Sequence, residues 1–270
     1  MFSSTAYLQS LTTVTTTLLT PLITVVSFVP VSHALLVDTP PVQESISFDT
    51  LERLRLMEGL AKLEAGAPNQ AIAIFNEVIN QNPNSADAYN LRGVAYMVLA
   101  QYAKALADLN QAIRLNPHDP VIYFNRANVY GVWENFQAAA ADCGVAIELD
   151  PTDADLFTCR GQARLALEQP EAAIPDFNQA LVLNPRLEEA IYFRGVAYAM
   201  LENYPQALAD LNQALALNPN NTDALVLRAG IKADQGDQGG SLEDMINAIN
   251  ILERQGETQK AAEIRGLLGY

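Results

Sequence analysis

The side chains best suited to binding or reacting form two evenly spaced columns. Arg92, Arg126, Arg160, Arg194 and Arg228 recur every 34 residues, and Asp108, Asp142, Asp176, Asp210 and Asp244 follow them by 16. A guanidinium fork can grip the carboxylate or phosphate of a ligand, and it can equally lock onto a carboxylate of its own chain. The stretch one period earlier lacks both members, with Glu58 and Ile74 in their slots. Joint presence and joint absence favour internal pairing. The columns are therefore expected to be structural, fixing the register of stacked units.

Residues for turnover are missing from the rest of the sequence. There is no GxGxxG, Walker loop, HExxH or GxSxG, and the run Gly236–Gly240 lacks the Lys-Ser/Thr of a phosphate loop. Of the two histidines, His33 lies in the leader and His118 in a turn, and neither is placed to serve a nucleophile. Cys143 and Cys159 do not have the spacing of a closed zinc site. They are expected to be free thiols packed as small core residues. A bridge between them is open if the protein is exported and their α-carbons lie within ~7 Å. The expectation is a protein without catalytic residues, cofactor or metal.

What must position the two columns is a set of helices with the same period. Pro83, Pro117, Pro151, Pro185 and Pro219 are each 34 residues apart. A proline cannot continue the helical hydrogen-bond ladder and pushes its predecessor out of the helical region. Ser85, Asp119 with Pro120, Asp153, and Asn221 or Thr222 then supply helix caps. Small residues fill two slots on either side of an intervening turn: Gly59, Gly93, Ala127, Gly161, Gly195 and Ala229, then Ala71, Ala105, Ala139, Ala173, Ala207 and Ser241. Small side chains at matching heights let antiparallel helices approach closely. The reading is an all-α solenoid of units 52–85, 86–119, 120–153, 154–187, 188–221 and a degenerate 222–255, with a capping helix at 257–268. In the sixth unit Glu253 replaces the proline, so its second helix is expected to run to Arg254 or Gln255, before Gly256.

The second unit holds Tyr89, Gly93, Tyr96, Ala105, Ala112 and Pro117, and the fifth holds Ile191, Gly195, Tyr198, Ala207, Ala214 and Pro219. This pattern resembles the tetratricopeptide repeat family. The resemblance implies a right-handed superhelix whose first helices line a concave groove for peptides or helices of partner proteins. Non-repeating residues on those helices would then choose the ligand: Val94, Met97, Phe124, Asn125, Asn128, Gln162, Tyr192, Phe193 and Val196, with Leu91 and Thr158 beside them. The set is apolar and aromatic with a few amides, so an apolar helix or extended peptide is the expected occupant. Chaperone adaptors of this family clamp a terminal carboxylate with Lys, Asn and Arg. None of the lysines here, Lys62, Lys104, Lys232 and Lys260, aligns with an Asn for that purpose. Asp87, Asp155, Glu189 and Asp223 recur near the starts of first helices, where a carboxylate compensates the helix dipole at ~0.3–1 kcal/mol each. Trp133 is expected to wedge the turn between two helices.

Arg and Lys number 16 against 31 Asp and Glu, a net charge of −15. Nucleic-acid binding runs on cationic surface, so that class is disfavoured, as is electrostatic docking on anionic membranes. Residues 1–37 carry no charged side chain, and Leu18–Val31 is an apolar run interrupted by Pro21 and Pro30. Spanning a bilayer takes ~20 apolar residues, so the run suits a secretory signal better, with Ser32-His33-Ala34 as cleavage pattern. No Lys or Arg precedes it, which leaves an uncleaved anchor, a disordered leader or a mis-set start codon open. Residues 1–34 thus read as signal or anchor, 35–49 as linker and 50–270 as the helical array. The Lys-poor, Ala-, Asn- and Gln-rich composition is bacterial in style. The expectation is a non-catalytic scaffold or assembly factor, exported to a periplasm or lumen or membrane-associated, with a cytosolic or organellar adaptor or co-chaperone as the alternative.

Overall fold

The computed structural model describes residues 48–268, and the leader and most of the linker lie outside them. The described residues form thirteen helices in two compact units divided between Pro151 and Thr152. None of these helices is long and apolar enough to cross a membrane.

The first unit contains α1 (Phe48–Glu64), α2 (Pro68–Gln81), α3 (Ala86–Val98), α4 (Tyr102–Leu115), α5 (Pro120–Val132) and α6 (Phe136–Leu149). Each helix packs on the next, and α3 also touches α1 and α5, so the first helices of the pairs form one layer and the second helices another. The backbone is already helical at Phe48, with Asp49 favourably placed in the first turn. Buried Leu56, Leu63, Phe75, Leu91, Leu109, Ile122 and Val129 form the interior between the layers.

The second unit contains α7 (Ala154–Ala166), α8 (Pro170–Leu183), α9 (Glu188–Met200), α10 (Tyr204–Leu217), α11 (Thr222–Asp234), α12 (Gln238–Gln255) and α13 (Thr258–Leu267). Sequential packing holds here too, and the first helices α7, α9 and α11 again lie side by side. Helix α12 runs to Gln255 and ends on Gly256 in the left-handed region, φ 80°. Helix α13 closes the end, with Ala261 buried against Ile249 and Leu252.

Local chemistry explains the alternation. Ser85, Asp119, Asp153 and Asn221 accept backbone N–H groups of the first helical turn, so Asn221 rather than Thr222 is the cap. Proline cannot donate, and the Asn before each of four prolines (Asn82, Asn116, Asn184, Asn218) accepts the N–H of the residue two positions on. Within each pair the turn is a Schellman motif, as in Gln101 N–H to Tyr96 C=O at 2.9 Å and Ala100 N–H to Met97 C=O at 2.8 Å. Gly66 and Gly236 take the left-handed position in two of these turns, whereas Ala100, Glu134, Glu168 and Glu202 adopt it with φ of 55–58°. A side chain in that region costs roughly 1–2 kcal/mol, which the packing of the helix pair offsets.

Candidate functional site

In every unit that has the columns, arginine and aspartate meet across the pair of helices. Arg92 Nε and Nη2 donate to the two oxygens of Asp108 at 2.7 Å each, and Arg126 does the same with Asp142. In the second unit Arg194 holds Asp210 at 2.8 Å through both nitrogens, and Arg228 holds Asp244 at 2.8 and 2.6 Å. The aspartates are buried, so these are desolvated, two-pronged bonds rather than solvated surface pairs. Bonding to Asp108, Asp142 and Asp210 raises the already high pKa of Arg92, Arg126 and Arg194.

The network has a third member of the same period, one that the two expected columns did not include. Asn76, Asn110, Asn178 and Asn212 lie 16 residues ahead of an arginine, and each accepts from its Nη1. Every such arginine therefore ties its own pair of helices together and reaches back to the pair before it. Gly144 stands where the column would place a fifth Asn. Two aspartates carry a second cation: Asp176 accepts from Arg164 at 2.7 Å and Asp244 from Lys232 at 2.8 Å. Elsewhere that slot is tyrosine, and Arg92 lies 5.4 and 6.0 Å from the rings of Tyr89 and Tyr96, Arg126 5.7 and 5.9 Å from Tyr123 and Tyr130. With both prongs and a third nitrogen engaged, these guanidiniums are committed internally.

The non-repeating residues of the first helices divide sharply by exposure. Val94, Asn125, Asn128, Gln162, Tyr192, Phe193 and Val196 are buried, while Met97 and Phe124 are half-buried. Phe193 stacks on Phe177 and meets Tyr192 edge-on, with ring centroids 6.3 and 4.9 Å apart, which makes it part of the interior of the second unit. Gln162 donates to Glu189 at 2.7 Å, and Asn125 donates to Asn90 at 2.9 Å. Asn128 is different. Both its Nδ2 and its Oδ1 are buried and neither has a hydrogen-bond partner.

The acids at the first-helix starts are more than dipole compensation. Burial raises the pKa of Glu189 and Asp223, and the bond from Gln162 to Glu189 and the charge of Lys260 near Asp223 only partly oppose it. A raised acid pKa means that the folded state holds its proton longer than the unfolded state, so these groups cost stability as pH rises through that raised value. Trp133 does not wedge its turn: it caps the C-terminus of α5 and is 53% exposed. The free-thiol expectation is also corrected. Cys143 and Cys159 are buried and neither is a free thiol. The separation that decides between thiol and bridge is a tertiary distance that spacing does not give. Among the described residues no group of three or more His, Cys, Asp or Glu could hold a metal ion.

Similarity to known proteins agrees with this geometry. One tetratricopeptide repeat model matches residues 86–119 and 188–221, and a second matches 54–85. No curated protein matches the sequence. Among solved structures, YrrB, a tetratricopeptide protein with an unusual peptide-binding site, is 25% identical over 70% of this protein and 97% of its own length, with TM-score 0.54. The pilF protein of Pseudomonas aeruginosa is 17% identical over 78% of this protein and 96% of its own length, with TM-score 0.69. A thermophilic tetratricopeptide protein of Thermus thermophilus is 20% identical over 67% of this protein and 99% of its own length, with TM-score 0.56.

Proposed function

The chain belongs to the tetratricopeptide repeat family, and we propose that it is a non-catalytic scaffold or assembly factor that holds an apolar peptide or helix of a protein partner. Tetratricopeptide folds mediate protein–protein contact and are typically scaffolds without turnover. The observation that carries the reading is the division of labour on the first helices. Their repeating arginines and small residues are consumed by internal bonds and close packing, while the slot shared by Val94, Asn128 and Gln162 and the slot shared by Phe124, Thr158 and Tyr192 change from unit to unit. Structure is served by what repeats; selection of a partner is served by what does not. The likeness to YrrB, which has a peptide-binding site, supports a peptide as the partner. Apolar and aromatic contacts supply affinity in such grooves.

Selection of random linear peptides on the full-length protein tests this. Enrichment of uncharged sequences with aliphatic or aromatic residues is expected. No enrichment, or enrichment of sequences rich in Lys and Arg, would contradict it.

Export or membrane association belongs to the same proposal, supported by the uncharged residues 1–37 and the apolar run Leu18–Val31. The missing basic residue before that run favours a second reading, a cytosolic or organellar adaptor whose leader is disordered. Intact mass after fractionation separates them. A protein beginning at Leu35 in a periplasmic or lumenal fraction is expected; an intact one in the soluble cytosol would establish the adaptor instead.

A further inference from the structure

The second unit carries a cavity at its C-terminal end, on the layer of second helices. Helix α10 stops at Leu217 because Asn218 and Pro219 follow, and the equivalent position on α12 is Ile251. With Glu253 in the proline slot, α12 continues for one more turn to Gln255. That added turn and the end of α10 wall a cavity of about 620 Å³, a volume typical of small-molecule sites. Its floor is apolar, made of the buried Leu215, Leu225 and Ile251. Carboxamides surround the floor, Asn212 and Asn220 on the α10 side and Asn247 and Asn250 on α12.

The charge of this lining runs against that of the whole molecule. Its charged members are Arg228 and Arg254, with no Asp or Glu beside them, in a protein of net charge −15. Arg228 is held by Asp244 and Asn212, but Asp244 also carries Lys232. One carboxylate thus serves two cations, and a positive charge is left over under the floor. Arg254 stands on the added turn; in earlier units the same position, Arg186 or Asn220, lies in the turn after the proline. It is exposed and donates through Nε to the C=O of Asn250 at 3.2 Å, and among the described residues no carboxylate pairs with it. Asn212 accepts from Arg228 through Oδ1, so its Nδ2 remains a donor.

We propose that this cavity binds a small organic carboxylate with an apolar body. The carboxylate meets the Arg254 fork and the neighbouring amide donors, while the body lies on Leu215, Leu225 and Ile251. A guanidinium with both terminal nitrogens unengaged matches the two oxygens of a carboxylate. A phosphate dianion is served less well, because three nitrogens of the second guanidinium, Arg228, are already bonded to Asp244 and Asn212. The proposal goes beyond the peptide-binding reading and does not rest on it. An occupant touches α10, α11 and α12 together, so it holds the end of the array closed and raises its melting temperature by mass action.

Octanoate titrated into the isotope-labelled full-length protein and followed by NMR tests this, with octylamine and octyl phosphate as comparators. Saturable shifts are expected in the Arg254 Nε–H signal and in the side-chain amides of Asn247 and Asn250, together with a higher melting temperature. Arg254→Gln should weaken octanoate binding tenfold or more while barely changing the melting temperature of the ligand-free protein, since Arg254 is exposed. Ala216→Glu should abolish binding by placing a carboxylate in the lining. Ala216 is exposed on α10, and Glu148 already occupies that position two units earlier, so the helix tolerates the change. Equal affinity of octanoate for wild type and Arg254→Gln, or equal shifts with octylamine, would overturn the anion site. Octyl phosphate binding tenfold tighter than octanoate would overturn the carboxylate and put a phosphate monoester in its place. No saturable shift with either anion would also overturn the proposal, and none of these outcomes touches the peptide-binding reading.

Discussion

Replacing Asp176 by alanine is expected to lower stability by about 3 kcal/mol, while Glu171→Ala on the same helix stays within about 0.5 kcal/mol. Asp176 is 3% exposed and accepts from two arginines, from Arg160 through Nη2 at 2.7 Å and from Arg164 through Nη1 at 2.7 Å. Removing the carboxylate strands both guanidiniums against each other in a partly dehydrated site. Their side chains keep 25% and 30% exposure, so water reaches them, and the cost falls at the low end of the ~3–5 kcal/mol typical of a broken buried pair. Glu171 is exposed in the first turn of α8, where it adds only a small dipole term. Chemical denaturation of the two variants decides. Coincident curves would mean that the aspartate column is decoration, and the frame would need another explanation.

Gly161→Ala is the second large effect, expected to cost about 2 kcal/mol, whereas Gly195→Ala should stay within about 1 kcal/mol of wild type. A β-carbon on Gly161 would lie 2.6 and 2.7 Å from two ring carbons of Phe177, which is fully buried and cannot step aside. The same addition at Gly195 meets its nearest neighbour, the β-carbon of Asp210, at 3.3 Å, so the gain in helix propensity largely offsets the crowding. The contrast follows from pairs already visible in the repeats. Gly59 and Gly161 face phenylalanine, Gly93 and Gly195 face leucine, and the slot becomes Ala127 or Ala229 where the opposite residue is Cys143 or Met245. Small and large side chains are exchanged as sets. Combining Gly161→Ala with Phe177→Leu should therefore cost less than the sum of the single changes, a coupling readable in a double-mutant cycle. Equal destabilisation at Gly161 and Gly195 would contradict the close-approach account.

The frame was legible because it is periodic. Prolines, small slots, caps and the Arg–Asp columns each repeat every 34 residues, and repetition turns a weak local signal into a strong one. The Asn76, Asn110, Asn178 and Asn212 column keeps the same period, broken only at Gly144, and could have been found the same way, at the spacing of 16 that joins Arg to Asp. What stayed hidden has no period or depends on tertiary distance. Ala100 and the glutamates of three other turns enter the left-handed region with no glycine to announce it, because the turn is imposed by the helices it joins. Seven of the nine groove candidates turned out buried, since a first helix is enclosed by its own partner and by neighbouring first helices, and spacing alone does not rank those faces. Trp133 and the cysteines failed for the same reason.

The central claim is that the partner is held by uncharged first-helix residues while the arginines serve the frame. Titrating an enriched peptide at low salt and again with several hundred millimolar sodium chloride tests it most directly, because charge–charge contacts near the surface weaken as the Debye length falls towards roughly 3 Å. The account predicts dissociation constants within about twofold of each other. A loss of tenfold or more at high salt would show that ion pairs hold the ligand, and the arginine column would return as the binding site.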